Sequence, residues 1–249
     1  MKIITLNLNG LRSSVQKGLL RWLEAESPDL VLFQEVRAEA TPLLLGALGY
    51  FSYWMPAQKA GYSGVALASK LEPREVVYGL EHGEIDREGR VLMARFETFC
   101  ALSVYVPSGS SGEVRQVFKM AFLEHFYGYT RGLLEHGPLV IGGDFNIAHQ
   151  SIDLKNWRAN AKNSGFLPQE REWMTRFLKL GLTDTHRVLL EDRPQYTWWS
   201  SRGGAFANDV GWRLDYQLCS SEFVPLRHQV HRDTRLSDHA ALSVEYRLE

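Results

Sequence analysis

Two stretches of this chain, Asp29–Glu35 (DLVLFQE) and Pro138–Asp144 (PLVIGGD), are apolar at nearly every position rather than at every second one. A strand of that kind is buried on both faces, so its sheet must be covered on each side. The rest of the chain supplies the cover. Lys2–Asn9 alternates as a strand, with Ile4, Leu6 and Leu8 on one face and Asn7 and Asn9 on the other. Ser13–Glu26 has helical spacing, a stripe of Leu19, Leu20 and Leu23 that Ser13 or Ser14 could cap. Pro42–Leu48 is a short helix. Ser63–Ser69, Arg74–Tyr78, Arg90–Phe96 and Cys100–Val106 follow as antiparallel strands. Glu113–Glu135 is the longest helical pattern, and Pro168–Leu180 is another, with Pro in its first turn. Tyr196–Ser200, Arg213–Ser220 and Ala240–Leu248 are the closing strands. No linker or repeat interrupts residues 1–249, which read as a single domain. The expected fold is α/β (α+β), a four-layer sandwich of two mixed sheets packed face to face with helices outside.

Composition removes several classes. With 45% hydrophobic and 12% aromatic residues the chain can fill one large core, which excludes disorder. No apolar run reaches the roughly 18 residues of a membrane span. The first residues start a strand, without the apolar segment of a signal peptide. Cys100 and Cys219 form no CxxC pair, which leaves no zinc site or disulfide framework and implies a cytoplasmic protein. A net charge of −1 argues against bulk polyanion binding, although a local stripe would suffice for it. Asp153–Lys179 offers such a stripe: Lys155, Arg158, Lys162, Arg171, Arg176 and Lys179 outnumber Asp153, Glu170 and Glu172. By itself it reads first as a solvated face.

The informative positions are acids and amides that end apolar runs. Glu35 ends DLVLFQE, and Asp144 and Asn146 end PLVIGGDFN. Asp215 sits inside RLDYQL, on the face opposite Leu214, Tyr216 and Leu218, and Asp238-His239 opens the last strand. Each alone reads first as a cap or turn residue. Together they place oxygen donors at strand ends, where α/β sheets collect ligands. Such donors, without Cys or clustered His, suit Mg²⁺ or Mn²⁺ rather than Zn²⁺. With a His to donate to a phosphoryl oxygen or shuttle a proton, the set describes metal-assisted phosphoester hydrolysis.

The strings LNLNGLR (Leu6–Arg12), FQE (Phe33–Glu35), GYSGVA (Gly61–Ala66), VYVPSG (Val104–Gly109), GDFN (Gly143–Asn146), KNSGFLPQEREW (Lys162–Trp173), YTWWS (Tyr196–Ser200), GWRLDY (Gly211–Tyr216) and SDH (Ser237–His239) resemble the exonuclease III family of AP endonucleases. They occur in the family's order across nearly the whole chain. QE, GDFN and SDH mark only the wider endonuclease/exonuclease/phosphatase superfamily, whereas GFLPQERE and GWRLDY are specific to its DNA-repair branch.

The resemblance implies a Mg²⁺-dependent nuclease, with Mn²⁺ able to substitute. Such an enzyme cuts 5′ to abasic sites in double-stranded DNA and often shows 3′→5′ exonuclease and 3′-phosphodiesterase or phosphatase activity. It implies a nucleoid-associated monomer with no membrane partner. Glu35 matches the metal-binding glutamate, with Asn7 and Asn9 beside it and Asp238 a further acidic ligand. Asp144 matches the aspartate that positions or deprotonates the attacking water, and Asn146 orients that water. His239, held by Asp215, matches the histidine that contacts the scissile phosphate, and Tyr105 a tyrosine close to it. Trp212, Leu214 and Trp198 match positions lining the pocket for a flipped-out abasic sugar. Gly165 leaves that pocket roomy, and Arg171 of the GFLPQERE string is a substrate-side cation. Ser108 departs from the family's common Asn, and no DNA-inserting Arg follows it.

Two geometric conditions come with these roles. A regular strand would send Asp238 and His239 to opposite faces, so the last strand must start after them. Trp212 and Asp215, three apart, would also diverge, so Trp212 should lie in a loop before Asp215's strand. The alternatives are an exonuclease-only DNA-repair paralogue, another superfamily phosphodiesterase such as a general deoxyribonuclease or phosphoinositide phosphatase, and a non-catalytic DNA-binding module.

Overall fold

Both doubly apolar runs lie inside six-stranded sheets. The computed structural model describes residues 1–190 and 193–249. In chain order the strands are β1 (Lys2–Asn7), β2 (Leu30–Gln34), β3 (Phe51–Met55), β4 (Val65–Ser69), β5 (Glu75–Tyr78), β6 (Val91–Arg95) and β7 (Cys100–Tyr105). They continue with β8 (Leu139–Asp144), β9 (Thr183–Asp184), β10 (Trp198–Trp199), β11 (Gly211–Trp212), β12 (Asp215–Cys219), β13 (Phe223–His231) and β14 (Ala241–Leu248). The helices are α1 (Leu11–Gln16), α2 (Leu19–Glu26), α3 (Pro42–Gly46), α4 (Gly83–Asp86), α5 (Glu113–Leu134), α6 (Trp157–Asn160), α7 (Pro168–Leu178) and α8 (Thr185–Leu190).

One sheet has the order β13-β14-β1-β2-β4-β3, the other β5-β6-β7-β8-β12-β9, and β10 with β11 forms a separate ribbon. Each sheet is mixed, because β1 runs parallel to β2 and β7 parallel to β8. Strand β2 shows why its sequence is apolar throughout. Leu30 and Leu32 pack between the sheets, whereas Val31 and Phe33 pack outward with Leu19 and Leu23 of α2. On the far side, Phe122 and Phe126 of α5 and Trp173 and Phe177 of α7 cover Ile141 of β8. Each such side chain contributes about 1.5–3 kcal/mol when fully buried. The expected four layers are therefore present. The sheets approach so closely at Gly142 that an added Cβ would sit 2.6 Å from Leu32 Cδ1, which explains the glycine in IGGD.

The differences from expectation have local causes. The helix read over Ser13–Glu26 is two helices, parted at Gly18, whose φ of 98° is left-handed. Neither serine caps it; Ser14 Oγ instead donates to the carbonyls of Leu8 and Leu236. Strands β3 and β13 went unread because both are sheet edges with exposed faces, and β13 carries Pro225 beside a bulge. Strand β12 begins at Asp215 rather than Arg213, so Asp215 opens its strand instead of sitting inside it. Among the described residues, no helix is long and apolar enough to cross a membrane.

Helix α8 meets β13 through two imidazoles, with His186 Nδ1 3.2 Å from His228 Nε2. Burial pushes His186 down to about 2 and His228 down to about 4, with the Arg213 cation adding to both. Both folded values lie below the unfolded one, so the unfolded chain takes up protons first as pH falls. Stability is complete above about pH 6.5 and is lost as pH drops toward the folded values. His228→Gln should remove about 2 kcal/mol of the loss between pH 7 and 5, read from urea unfolding at each pH. An equally steep pH dependence in the variant would show that the loss arises elsewhere.

Candidate active site

The ends of β7, β8 and β12 bring three sequence-predicted residues side by side. Tyr105 is registered with Asp144, and Asp144 with Asp215. The other sheet contributes Asn7 from the end of β1 and Glu35 from just beyond β2. Asn7 joins the two sheets, its Nδ2 donating to Asp144 Oδ2 at 2.8 Å and to Glu35 Oε2 at 3.0 Å. Its Oδ1 accepts the Asn9 backbone N–H at 2.9 Å. Asn7 thus bridges the two carboxylates through its amide N–H groups. Glu35, Asn9 and Asn146 all have left-handed backbones, with φ of 52°, 44° and 50°. Asparagine tolerates that region, whereas at Glu35 it is backbone strain that the surrounding structure must hold.

The first condition on the SDH segment is met: β14 starts at Ala241, two residues after His239. His239 Nδ1 lies 2.8 Å from Asp215 Oδ2, and its Nε2 lies 3.8 Å from Asp144 Oδ2. Burial disfavours the imidazolium, but the Asp215 and Asp144 carboxylates outweigh it and raise His239 well above its ordinary value. Burial likewise raises Asp144, with the Asp215 charge adding and His239 opposing. Asp144 Oδ1 accepts the Asn146 N–H at 2.9 Å, and Asn146 Nδ2 donates to the Val106 carbonyl at 2.9 Å. Burial and the charges of Glu35 and Asp144 raise the Tyr105 hydroxyl far up, so it stays a neutral donor beside them. Arg90 lies over its ring at 4.8 Å.

Asp238 is held by Asn9 Nδ2 at 2.8 Å, Trp198 Nε1 at 3.0 Å and Ser237 Oγ at 3.1 Å. Trp198 therefore acts on the site through its indole N–H. Trp212 lies in β11, paired with Trp198 of β10, rather than in the expected loop. The consequence is the same, because Arg213 and Leu214 part it from β12 and the two residues need not follow one regular strand. Trp198, Trp212, Leu214 and Gly165 all line one cleft of about 940 Å³ with Glu35, Asp144 and His239. A Cβ on Gly165 would lie 3.2 Å from the Trp212 ring and 3.3 Å from the Asn146 carbonyl. Arg171 is not among the cleft residues; its Nε donates to the His149 carbonyl and its guanidinium covers Phe166. Of the expected basic stripe only Lys162 lines the cleft, and Arg37 and Arg202 join it from elsewhere. Arg37 is ion-paired to Glu35 Oε1.

Four residues have supporting roles that the sequence reading did not assign. Fully buried Glu170 accepts the Gly165 N–H at 2.7 Å, the Leu167 N–H at 2.9 Å and the Lys119 ammonium at 2.6 Å. Lys119 also donates to the Asn146 carbonyl at 2.7 Å, so one buried ion pair ties the Gly165 loop to Asn146. Thr197 Oγ1 accepts the N–H groups of Leu214 and Asp215. Buried Arg213 is bonded to both Asp153 and Asp184. The only available signal was that Glu170 and Arg213 are charged residues within GFLPQERE and GWRLDY.

The donors suit a hard divalent cation. Glu35 and Asp144 supply carboxylate oxygens linked through one amide, and Mg²⁺ needs only one or two such ligands. The Asp144, Asp215 and His239 ligand atoms also cluster within 4.8 Å of one another, so a metal centre can form in this neighbourhood.

A four-layer sandwich with carboxylates, an amide and a carboxylate-held His where its sheets end defines a phosphodiester hydrolase. The chain belongs to the Endonuclease/Exonuclease/phosphatase family, whose model matches residues 4–239. It is 41% identical over 252 residues to the DNA repair nuclease APEX1 of Danio rerio, covering 98% of this chain and 81% of that protein. It is 39% identical to the exodeoxyribonuclease of Bacillus subtilis, covering 98% of each. Among solved structures, an AP endonuclease from Archaeoglobus fulgidus superposes with a TM-score of 0.92 at 26% identity over all of both chains. The 3′-5′ exonuclease NExo from Neisseria meningitidis gives 0.91 at 28% identity, covering 99% of each.

Proposed function

We propose that this protein is a Mg²⁺-dependent DNA-repair nuclease that hydrolyses the phosphodiester 5′ to an abasic site. Recessed or phosphate-blocked 3′ ends would be processed at the same site. The observation that carries the reading is the cleft of about 940 Å³ that Gly165, Trp212 and Leu214 line together with Asn146 and Asp144. A deoxyribose without its base fits there, and its extrusion costs less stacking than that of an intact nucleotide. One chain carries all of the residues named above, which supports action as a monomer.

Asp144, fixed by Asn7 and Asn146, orients the attacking water and takes its proton. His239 carries the proton that Asp215 and Asp144 favour, and Asp215 sets its ring so that Nε2 donates toward the phosphate. Tyr105 adds a neutral hydroxyl donor. Glu35, with Asp238 nearby in the wall, would hold the Mg²⁺, which when bound neutralises charge growing on the phosphate.

The test uses one duplex set: an internal abasic site, a recessed 3′ end and a 3′-phosphate, at fixed salt. Wild-type protein should cut the abasic strand in an EDTA-sensitive way. Trp212→Ala should lose abasic incision by about 5- to 150-fold, the size of a lost packing contact of about 1–3 kcal/mol. Removal of the 3′-phosphate should fall less, and the melting temperature should barely move. Parallel loss of all activities with a lower Tm would make Trp212 a core residue and end the sugar-pocket reading.

A further inference from the structure

A second pocket, of about 240 Å³, shares Ser200, Asp238 and His239 with the catalytic cleft. Its remaining walls include the cations Lys17, Arg232 and Arg235 and the rings of Trp199 and Phe206. The three cations are not equivalent. Arg232 is committed, donating to Asp209 Oδ1 and to the Phe206 carbonyl, both at 2.9 Å. Exposed Arg235 lies over the Phe206 ring at 3.9 Å, and neither it nor Lys17 is ion-paired to a carboxylate among the described residues. The pocket's one acid, Asp238, already accepts from Asn9, Ser237 and Trp198. Two unspent positive charges thus stand beside the residue that would face the scissile phosphate.

We propose that this pocket seats a backbone phosphate of the strand being cut, on the 5′ flank of the abasic site. The inference rests on the function proposed above and extends it by one subsite. A guanidinium stacked on a ring keeps its N–H edge in a fixed plane, matched to two phosphate oxygens. Trp212, Leu214 and Gly165 line the cleft but not this pocket, so a strand with its sugar among them reaches Lys17 and Arg235 by passing His239. With the cut placed 5′ to that sugar, what lies past His239 is the 5′ flank.

The test measures Kd for an abasic duplex in EDTA, by fluorescence anisotropy, for wild type, Lys17→Ala, Arg235→Ala and the double variant. A phosphate contact contributes about 0.9 to the slope of log K against log salt, so each lost contact should shrink the wild-type fall in affinity between 50 and 200 mM salt by about 3.5-fold. The variants should bind more weakly at low salt. On a duplex trimmed to one nucleotide on the 5′ side of the lesion strand, wild type and double variant should bind alike. Trimming the 3′ side should preserve their difference. An unchanged slope and Kd in the double variant would overturn the subsite, as would a loss confined to kcat, which would make Arg235 a support for the His239 segment. Millimolar inorganic phosphate, at constant ionic strength, should leave the variant-to-wild-type ratio intact; collapse of that ratio would assign the pocket to free phosphate. Failure of wild type to prefer abasic over intact duplex would instead count against the proposed function, since the subsite is read only from the difference between variant and wild type.

Discussion

Asp144→Asn is expected to lower turnover on abasic duplex by about 10²–10⁴-fold, the usual contribution of a general base. Its affinity for the same DNA should stay within a few-fold. The substitution keeps the size but only one accepting oxygen, so one of the two donors, the Asn146 N–H on Oδ1 or Asn7 Nδ2 on Oδ2, loses its acceptor. What disappears is the capacity to take a proton from water at a position where burial already makes the carboxylate more basic. The substitution also removes a charge that burial penalises, which offsets the lost attraction to His239, so the folded protein should change little in stability. Single-turnover cleavage and anisotropy on one preparation separate the two effects. Unchanged turnover in folded protein would remove Asp144 from the chemistry.

Glu170→Ala should be the largest structural defect, costing about 3–5 kcal/mol in urea unfolding, because it strands a buried charge. Burial alone already lowers Lys119, and Glu170 is the main opposing influence. The same change leaves the Gly165 and Leu167 N–H groups without their acceptor. Replacing both partners, as Lys119→Met with Glu170→Met, should recover much of the stability, since the charge and its counter-charge leave together. It should not recover preference for the abasic site over a 3′-phosphate, because the Gly165 loop stays untethered. A double variant with wild-type preference would show that the ion pair supports only the fold. A loss below about 1 kcal/mol in Glu170→Ala would mean that the pair is solvated after all.

Much of this arrangement can be read along the chain. Doubly apolar β2 and β8, the acids and amides that end them, and the helices under which they must lie all follow from patterns a few residues long. Such patterns report burial, because a side chain's hydrophobicity is local information. Edge strands β3 and β13 were illegible for the same reason, since a half-exposed strand, in β13 also interrupted by Pro225, has no burial pattern to show. The candidate residues Glu35, Asp144, Asp215 and His239 were visible as interruptions, and family resemblance supplied their roles.

The sequence by itself therefore determined the layers, the positions of the central strands and the chemical inventory of the site. Only the tertiary structure decided how that inventory is used. Asn7 turns its N–H groups toward two carboxylates, because the ends of β1 and β8 face each other across the sandwich. Trp198 holds Asp238, and Arg171 turns away from the cleft to His149. Glu170, the first glutamate of GFLPQERE, is a buried tether that reaches Lys119, 51 positions earlier. These are contacts between distant segments, set by sheet register and by the need to pair every buried charge, and no short stretch of sequence encodes its own partner.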